Sequence, residues 1–319
     1  MKSRTSARLQ IIPFSEIWFD CRYNMLISIL QTYDYSFHNK VIENAYQYVV
    51  ETGETQNGNI VNYLICEPTM NIDSFFSQKP IFESRDMMKD KLIGYIFDEI
   101  QCGNYIMAGV DLFNWIPSSM TFRKYHWQHY TLVSGIDISE GCVYVLDAAK
   151  EGYGEYKIAI DVFVECVYAS TYEYKLYRIC INRNMNFDTD VKKRVHMNSK
   201  KIIECIDAIC DTVLWQLADE DYDTHEYEDL CAMYINRIIH RQKANRLFLE
   251  TIGEKNAMKT FCQFFLNAEK NWREVQVIFL RNYYGLDRAL RMERLNQRVY
   301  ELLDSEKKIW EEIQAMKWS

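Results

Sequence analysis

HYTLVSGIDISEGCVYVLDA, from His129 to Ala148, decides how the first half of this chain is read. Tyr130 to Ile136 has the alternation of a strand, Val143 to Leu146 is a second strand-like run, and the residues between them suit a tight turn. Two short antiparallel strands are therefore expected, with His129 beginning one and Asp147 ending the other. Across such a hairpin the Asp147 carboxylate can reach the His129 ring.

Upstream, FDCRYNMLISIL runs from Phe19 to Leu30 and reads as an amphipathic helix opened by Cys21 and continuing to about Tyr33. Leu26, Ile27 and Leu30 would form its buried stripe, and its first turn would face outward. A helix start favours a thiolate over a thiol through the dipole and the free backbone N–H groups. A cysteine at a helix N-terminus, a histidine on a strand and a carboxylate on the next strand are the parts of a thiol nucleophile, its base and the group that orients the base. Each residue alone has a plainer reading: one buried cysteine among ten, a satisfied strand histidine, a carboxylate at a turn.

A second histidine, His126, lies in the same KYHWQHY segment. Zinc held by His126 and His129 with Cys21 or Cys142 is the alternative use of these residues, but no Cys-x-x-Cys or His-Glu-x-x-His spacing accompanies them. His129 is preferred as the base because it leads into the strand, whereas His126 belongs to the loop before it. No metal and no cofactor are expected.

Composition narrows the partners. The 319 residues are 48% hydrophobic and 26% charged, the balance of a soluble globular protein. A formal charge of -8 speaks against a general nucleic-acid binder, which shows a basic face to phosphates. Apolar runs fall short of a membrane span, and MKSRTSARLQIIPF lacks the continuous apolar stretch of a signal peptide, so no membrane partner and a cytoplasmic location are expected. Ten irregularly spaced cysteines then read as reduced thiols.

All four prolines and nine of the eleven glycines precede residue 155. Strand-rich structure should therefore give way to long helices. Before the change, helices are expected at Cys21 to about Tyr33, near Lys40 to Val50 and from Asp86 to Gln101. Strands are expected around Ile60 to Cys66, from Tyr105 to Leu112, in the hairpin, and near Tyr156 to Ile160 and Tyr172 to Ile181. The fold class is α+β, an antiparallel sheet packed on the Cys21 helix and followed by an all-α region. Ile202, Ile203, Ile206, Ile209, Val213, Leu214 and Leu217 share one helical face, and helices near Leu230 to Thr251, Ala257 to Tyr284 and Leu286 to Met316 follow, broken at Gly253 and Gly285. The acidic run Asp219 to Asp229 reads as an exposed loop or helix start. Two domains are expected, 1–183 and 184–319.

The order of these elements, with GVDLF from Gly109 to Phe113 as the strand before the loop, resembles the N-terminal domain of the butirosin biosynthesis protein H family. More distantly it is similar to papain-like peptidase domains that trim bacteriocin leaders. The resemblance spans about residues 15 to 182 and is most specific from Ile106 to Ala148. It implies a papain-like catalytic domain with Cys21 as nucleophile, His129 as base and Asp147 as orienting acid. It further implies an acyltransferase that moves an acyl group from a carrier-protein or coenzyme thioester to a small amine in a specialised-metabolite pathway. Papain-like enzymes place a glutamine shortly before the cysteine to hold the oxyanion, but PFSEIWFD stands there instead. Oxyanion donors are then sought in the Cys21 backbone N–H, Asn24 and Ser15.

Two other classes share these residues: a cysteine peptidase or amidase with water as acceptor, and a binding module that keeps the fold. The helical half favours transfer, because helices closing over the site would exclude water and dock a carrier protein. Trp272, Tyr283 and Tyr284 are the candidates for lining such a cleft, and Lys192, Lys193, Arg194, Lys200 and Lys201 for contacting an acidic carrier.

Overall fold

The computed structural model describes residues 5–33, 41–54, 60–83, 89–182, 190–210, 212–214, 224–252, 255–281 and 288–316. Seven α-helices and two antiparallel sheets are present among them. No helix of the described residues is long and apolar enough to cross a membrane. The chain divides into two compact units. The first takes Met1–Glu16, Asp20–Phe37 and Asn71–Asn186, and the second takes Ile17–Phe19, His38–Met70 and Phe187–Ser319.

The first unit is built on a seven-stranded sheet. Its strands are β1 (Ser6–Arg8), β4 (Phe76–Glu83), β5 (Tyr105–Asp111), β6 (Gln128–Asp137), β7 (Cys142–Ala149), β8 (Gly152–Ala159) and β9 (Tyr174–Ile181), in the order β4-β9-β5-β6-β7-β8, with β1 also pairing β6. Every pairing is antiparallel. Alternate residues of the central strands, Ile106, Ala108 and Val110 on β5 with Val143 and Val145 on β7, bury one sheet face. Against them pack Leu92, Ile96 and Ile100 of α2 (Lys89–Gln101) and Phe163, Val164 and Val167 of α3 (Ile160–Ala169). Helix α2 ends where Gly103 adopts a φ of 80°, so that its N–H and that of Asn104 close the last turn on the carbonyls of Ile100 and Glu99.

Helix α1 (Cys21–Tyr33) packs against β6 and β7. The expected single apolar stripe is not what it presents, because Asn24 through Leu30 are all buried. A helix enclosed on every side needs partners for its polar residues, and these come from the segment that precedes it. Asn24, Ser28 and Thr32, four residues apart, bond the backbone of residues 12–14: Asn24 Nδ2 donates to the Phe14 carbonyl (3.0 Å), Ser28 Oγ accepts from the Phe14 N–H (2.9 Å), and Thr32 Oγ1 accepts from the Ile12 N–H (2.8 Å).

Three elements differ from the sequence expectation. Tyr46–Glu54 is a strand, β2, in place of the expected helix near Lys40 to Val50. It pairs with β3 (Ile60–Pro68), and its alternating Tyr46 and Tyr48 are buried, a period of two that outweighs local helix propensity. Helix α3 occupies a stretch rich in β-branched and apolar residues and begins after Ala159 without a side-chain cap, so no start signal announces it. Strand β4 contains Pro80, which a strand tolerates at an edge; β4 is the edge strand, and its pairing shifts register beside that proline.

The second unit joins the β2–β3 hairpin to four helices, α4 (Val191–Ile209), α5 (Thr224–Ile252), α6 (Lys255–Arg281) and α7 (Arg288–Ala315). Among the described residues the elements from Val191 onward are all helices, but the compact body they belong to includes a hairpin from the first half of the sequence. Helix α4 packs on β2, α5 packs on β3, and α5 lies along α6. Ile202, Ile206 and Ile209 form the buried face of α4, whereas Val213 and Leu214 fall beyond its end. Thr224 to Asp229 opens α5; the rest of the acidic run, Leu217, Gly253 and Gly285 lie outside the described residues.

Candidate active site

Cys21 owes its position to its neighbour. Asp20 Oδ1 accepts from the Tyr23 N–H (2.7 Å) while its carbonyl accepts from the Asn24 N–H (3.0 Å), the geometry of an N-cap. Cys21 is therefore the first helical residue, half-buried, at the positive end of α1. Arg22, next in line, is held by a two-pronged ion pair to Asp73.

His129 and Asp147 meet because of an irregularity in the hairpin. From Ile136↔Val143 to Gly135↔Tyr144 the β6–β7 register is regular, but it resumes as Val133↔Val145 and Leu132↔Leu146, so Ser134 is an extra residue. Beyond this bulge the pairing continues toward Thr131 opposite Asp147, and His129, two residues further, shares the face of Asp147. Were Ser134 paired in regular register instead of bulged, Leu132 would stand opposite Asp147, and His129 would point to the other side of the sheet. With the bulge, His129 Nε2 lies 2.8 Å from Asp147 Oδ1.

Asp147 is 2% exposed and its oxygens are occupied. Oδ1 also accepts from the Ala148 N–H (2.7 Å), and Oδ2 accepts from the indole N–H of Trp115 (2.8 Å). Trp115, buried against Phe163, sits on the loop after β5, and no spacing pattern ties it to Asp147 in the sequence. The His129 side chain is 12% exposed, so its outer edge reaches the surface. Burial works against a charge on its ring, but the negative charges of Asp147 and Cys21 and hydrogen bonds to both outweigh it. The imidazole consequently holds its proton well above the usual histidine range. Cys21, His129 and Asp147 are thus brought into one electrostatic unit.

The other expected residues are placed differently. The Asn24 amide is committed to the Phe14 carbonyl and fully buried, which makes it a tie between α1 and the preceding segment. Ser15 is exposed on that segment. His126 bonds a separate carboxylate, Asp111 (3.1 Å), and stacks on Phe113 with 70% of its side chain exposed. The two histidines therefore serve different acids; among the described residues no group of three or more His, Cys, Asp and Glu is placed to hold a metal ion. Trp272 is 1% exposed in the core of the second unit, and Tyr283 and Tyr284 lie outside the described residues. Lys192, Lys193, Lys200 and Lys201 are exposed on α4, while Arg194 is drawn into an ion pair with Glu43 (2.7 Å).

Two tyrosines join the site without a sequence signal. Tyr153, on β8, has a hydroxyl raised above its ordinary value by burial and by the charges of Asp147 and Cys21, with a Ser28 hydrogen bond opposing. Tyr172, before β9, is raised by burial and then by the charge of Cys21. No protein-family model matches this chain, and no curated protein matches it.

Proposed function

We propose that this protein is a cysteine-dependent acyltransferase of papain-like architecture, in which Cys21 carries an acyl group from a thioester to an amine. The observation that supports it most is the single imidazole shared by a buried carboxylate and a helix-start thiol: His129 bonds Asp147 at 2.8 Å through Nε2, which leaves Nδ1 for Cys21. Asp147 fixes the ring and its protonation, and Trp115 and the Ala148 N–H fix Asp147.

The chemistry follows from these positions. Cys21 Sγ adds to the thioester carbonyl and the oxygen becomes an oxyanion, for which the Cys21 backbone N–H at the helix start is the candidate donor. As the carbonyl re-forms, the carbon–sulfur bond to the donor breaks, and the departing thiolate takes the proton from the His129 imidazolium. An acyl–Cys21 thioester and a free donor thiol result. His129, now neutral, accepts a proton as an amine attacks the acyl carbon; the amide forms and Cys21 leaves as thiolate beside the restored imidazolium. The net change is one thioester and one amine to one amide and one thiol. Water in place of the amine makes the same residues a hydrolase, the peptidase or amidase alternative.

A carrier-protein thioester is the proposed donor and a small amine the acceptor. Intact-protein mass spectrometry after incubation with N-acetylcysteamine acyl thioesters tests the first step, with an adduct expected on Cys21. Adding a panel of small amines tests the second: amide product is expected, and cleavage of ordinary peptides without any amide formation would move the assignment to a peptidase. No adduct on Cys21 under any condition leaves a binding module.

A further inference from the structure

Beside the base, the sheet carries a cluster of tyrosines that the acyl-transfer steps do not use. Tyr130 follows His129 on β6 and is paired in register with Gly109 of β5. The space where Gly109 would carry a side chain is filled by the ring of Tyr172, since a Cβ built there would lie 2.6 Å from Tyr172 Cδ2. Only glycine admits the ring at that depth. Tyr172 then stacks on Tyr130, with centroids 4.2 Å apart and planes 13° from parallel. Tyr177 closes the cluster edge-on to Tyr130 at 6.0 Å, and Tyr174 meets Tyr177 edge-on at 6.0 Å. Tyr130, Tyr172 and Tyr177 are each only partly buried, so ring surface remains open to solvent.

A stack of this kind is unusual as mere packing. A core would bury these rings fully, and a solvated surface would have no reason to hollow a strand at Gly109 so that one ring can lie flat against another. The cluster is also rigid: Tyr172 is seated on the sheet, and Tyr130 belongs to the strand that carries His129. The hydroxyls of Tyr130 and Tyr172 stay neutral, because burial raises both, with neighbouring tyrosines and, for Tyr172, the charge of Cys21 adding to the effect. What the cluster offers a ligand is flat, uncharged π surface within electrostatic reach of Cys21.

We propose that Tyr172, seated over Gly109 and stacked on Tyr130, is a specificity-determining residue that selects an acyl group bearing an aromatic ring. The inference rests on the acyl-transfer reading, since the ligand selected is the group that Cys21 would carry. An aromatic acyl chain lying against the stack gains an offset or edge-on ring contact that an acetyl group cannot make, a difference of roughly three- to tenfold in reaction rate.

The test compares acylation of Cys21 by two N-acetylcysteamine thioesters, benzoyl and acetyl, in the full chain, and reads the ratio of the two rates after each is divided by that thioester's reaction with free cysteine. The corrected ratio should favour benzoyl by about threefold or more. Tyr172→Ala should bring it close to one, and Tyr172→Phe, which keeps the ring and removes the hydroxyl, should preserve it. Gly109→Ala, whose added methyl group pushes the ring off its seat from below while Tyr172 itself is unchanged in sequence, should lower it as well. A corrected ratio near one in the native protein, or a benzoyl preference that survives both Tyr172→Ala and Gly109→Ala, overturns the specificity role while leaving thioester chemistry at Cys21 intact. Absence of any acylation by either thioester overturns the proposed function itself, and the inference with it.

Discussion

Each unit of this protein buries a carboxylate and gives it a tryptophan, yet the two carboxylates end differently. In the first, Asp147 takes the Trp115 indole N–H at 2.8 Å and stabilises the charged ring of His129, which reaches the surface. In the second, Glu306 is wholly buried and takes hydrogen bonds from the neutral groups Tyr46, Tyr48 (2.8 Å), Gln242 (2.8 Å) and Trp310 (3.3 Å). Burial raises the Glu306 carboxyl above its ordinary value even against those four donors. Hydrogen bonds alone therefore make a buried acid a structural knot; it becomes part of a chemical site when the group it polarises is in reach of a reactant.

That contrast can be broken most severely at Cys21, the proposed nucleophile. Cys21→Ala should abolish formation of any acyl adduct while leaving circular dichroism unchanged. In the native protein iodoacetamide should label Cys21 before the more exposed Cys102 and Cys210, and well before Cys166 and Cys205, whose thiols burial pushes up to about 12 and about 11. Peptide mapping of early labelling decides it, and even labelling over several cysteines would remove Cys21 from the role.

Next in size are changes to the acid that His129 bonds. Asp147→Asn should lower the rate by about 10⁴, and His126→Ala by far less, because Asp111 and not Asp147 is its partner. Glu306→Gln, in contrast, should leave the rate within about twofold, as expected of a group that polarises no reactant.

The two groups also differ in the pH at which their protons matter. His129 has a raised value in the folded state, so its contribution to stability is complete below the ordinary 6.5 and is lost as pH rises through the folded value. Glu306 is raised too, so its contribution is complete below 4.5 and declines as pH increases from there. Urea midpoints followed against pH should therefore show Glu306→Gln gaining on the native protein between acid and neutral pH, and the His129→Ala difference changing only above neutrality. The rate of acylation should likewise persist above pH 6.5 and fall on the alkaline side as the imidazolium is lost.

The smallest expected effects concern the tryptophans. Trp115→Phe leaves an Asp147 oxygen without its donor and should cost activity about tenfold, whereas Trp310→Phe should cost about 1–3 kcal/mol of stability and little rate. Equal effects on rate would erase the distinction between the two carboxylates.

Much of the first unit is legible in the amino-acid sequence. The helix opened by Cys21, the strand Tyr105–Asp111 and the hairpin bearing His129 and Asp147 are where periodicity and turn residues put them, because those signals are local. Tyr46 and Tyr48 read as helical in isolation since the partners that hold them in a strand, Glu306, Gln242 and Trp310, lie far along the chain. Asn24 has a spacing compatible with an oxyanion donor; only the backbone of Phe14 running beside α1 shows where its amide goes.

The sequence by itself determined residue types on elements: a thiol at a helix start, an imidazole and a carboxylate on adjacent strands, four helices of a second body. Tertiary structure decided which of these meet. A strand pattern fixes sides only to within its register, and one extra residue at Ser134 exchanges them, so whether His129 faces Asp147 is settled by the pairing of whole strands and by β1, whose Arg8 and Ala7 pack against Gly135 at the bulge. The same holds for Trp115, Tyr153 and Tyr172, which reach the site from a loop, a neighbouring strand and the approach to β9, because contacts between residues distant in sequence leave no period for a local reading to find.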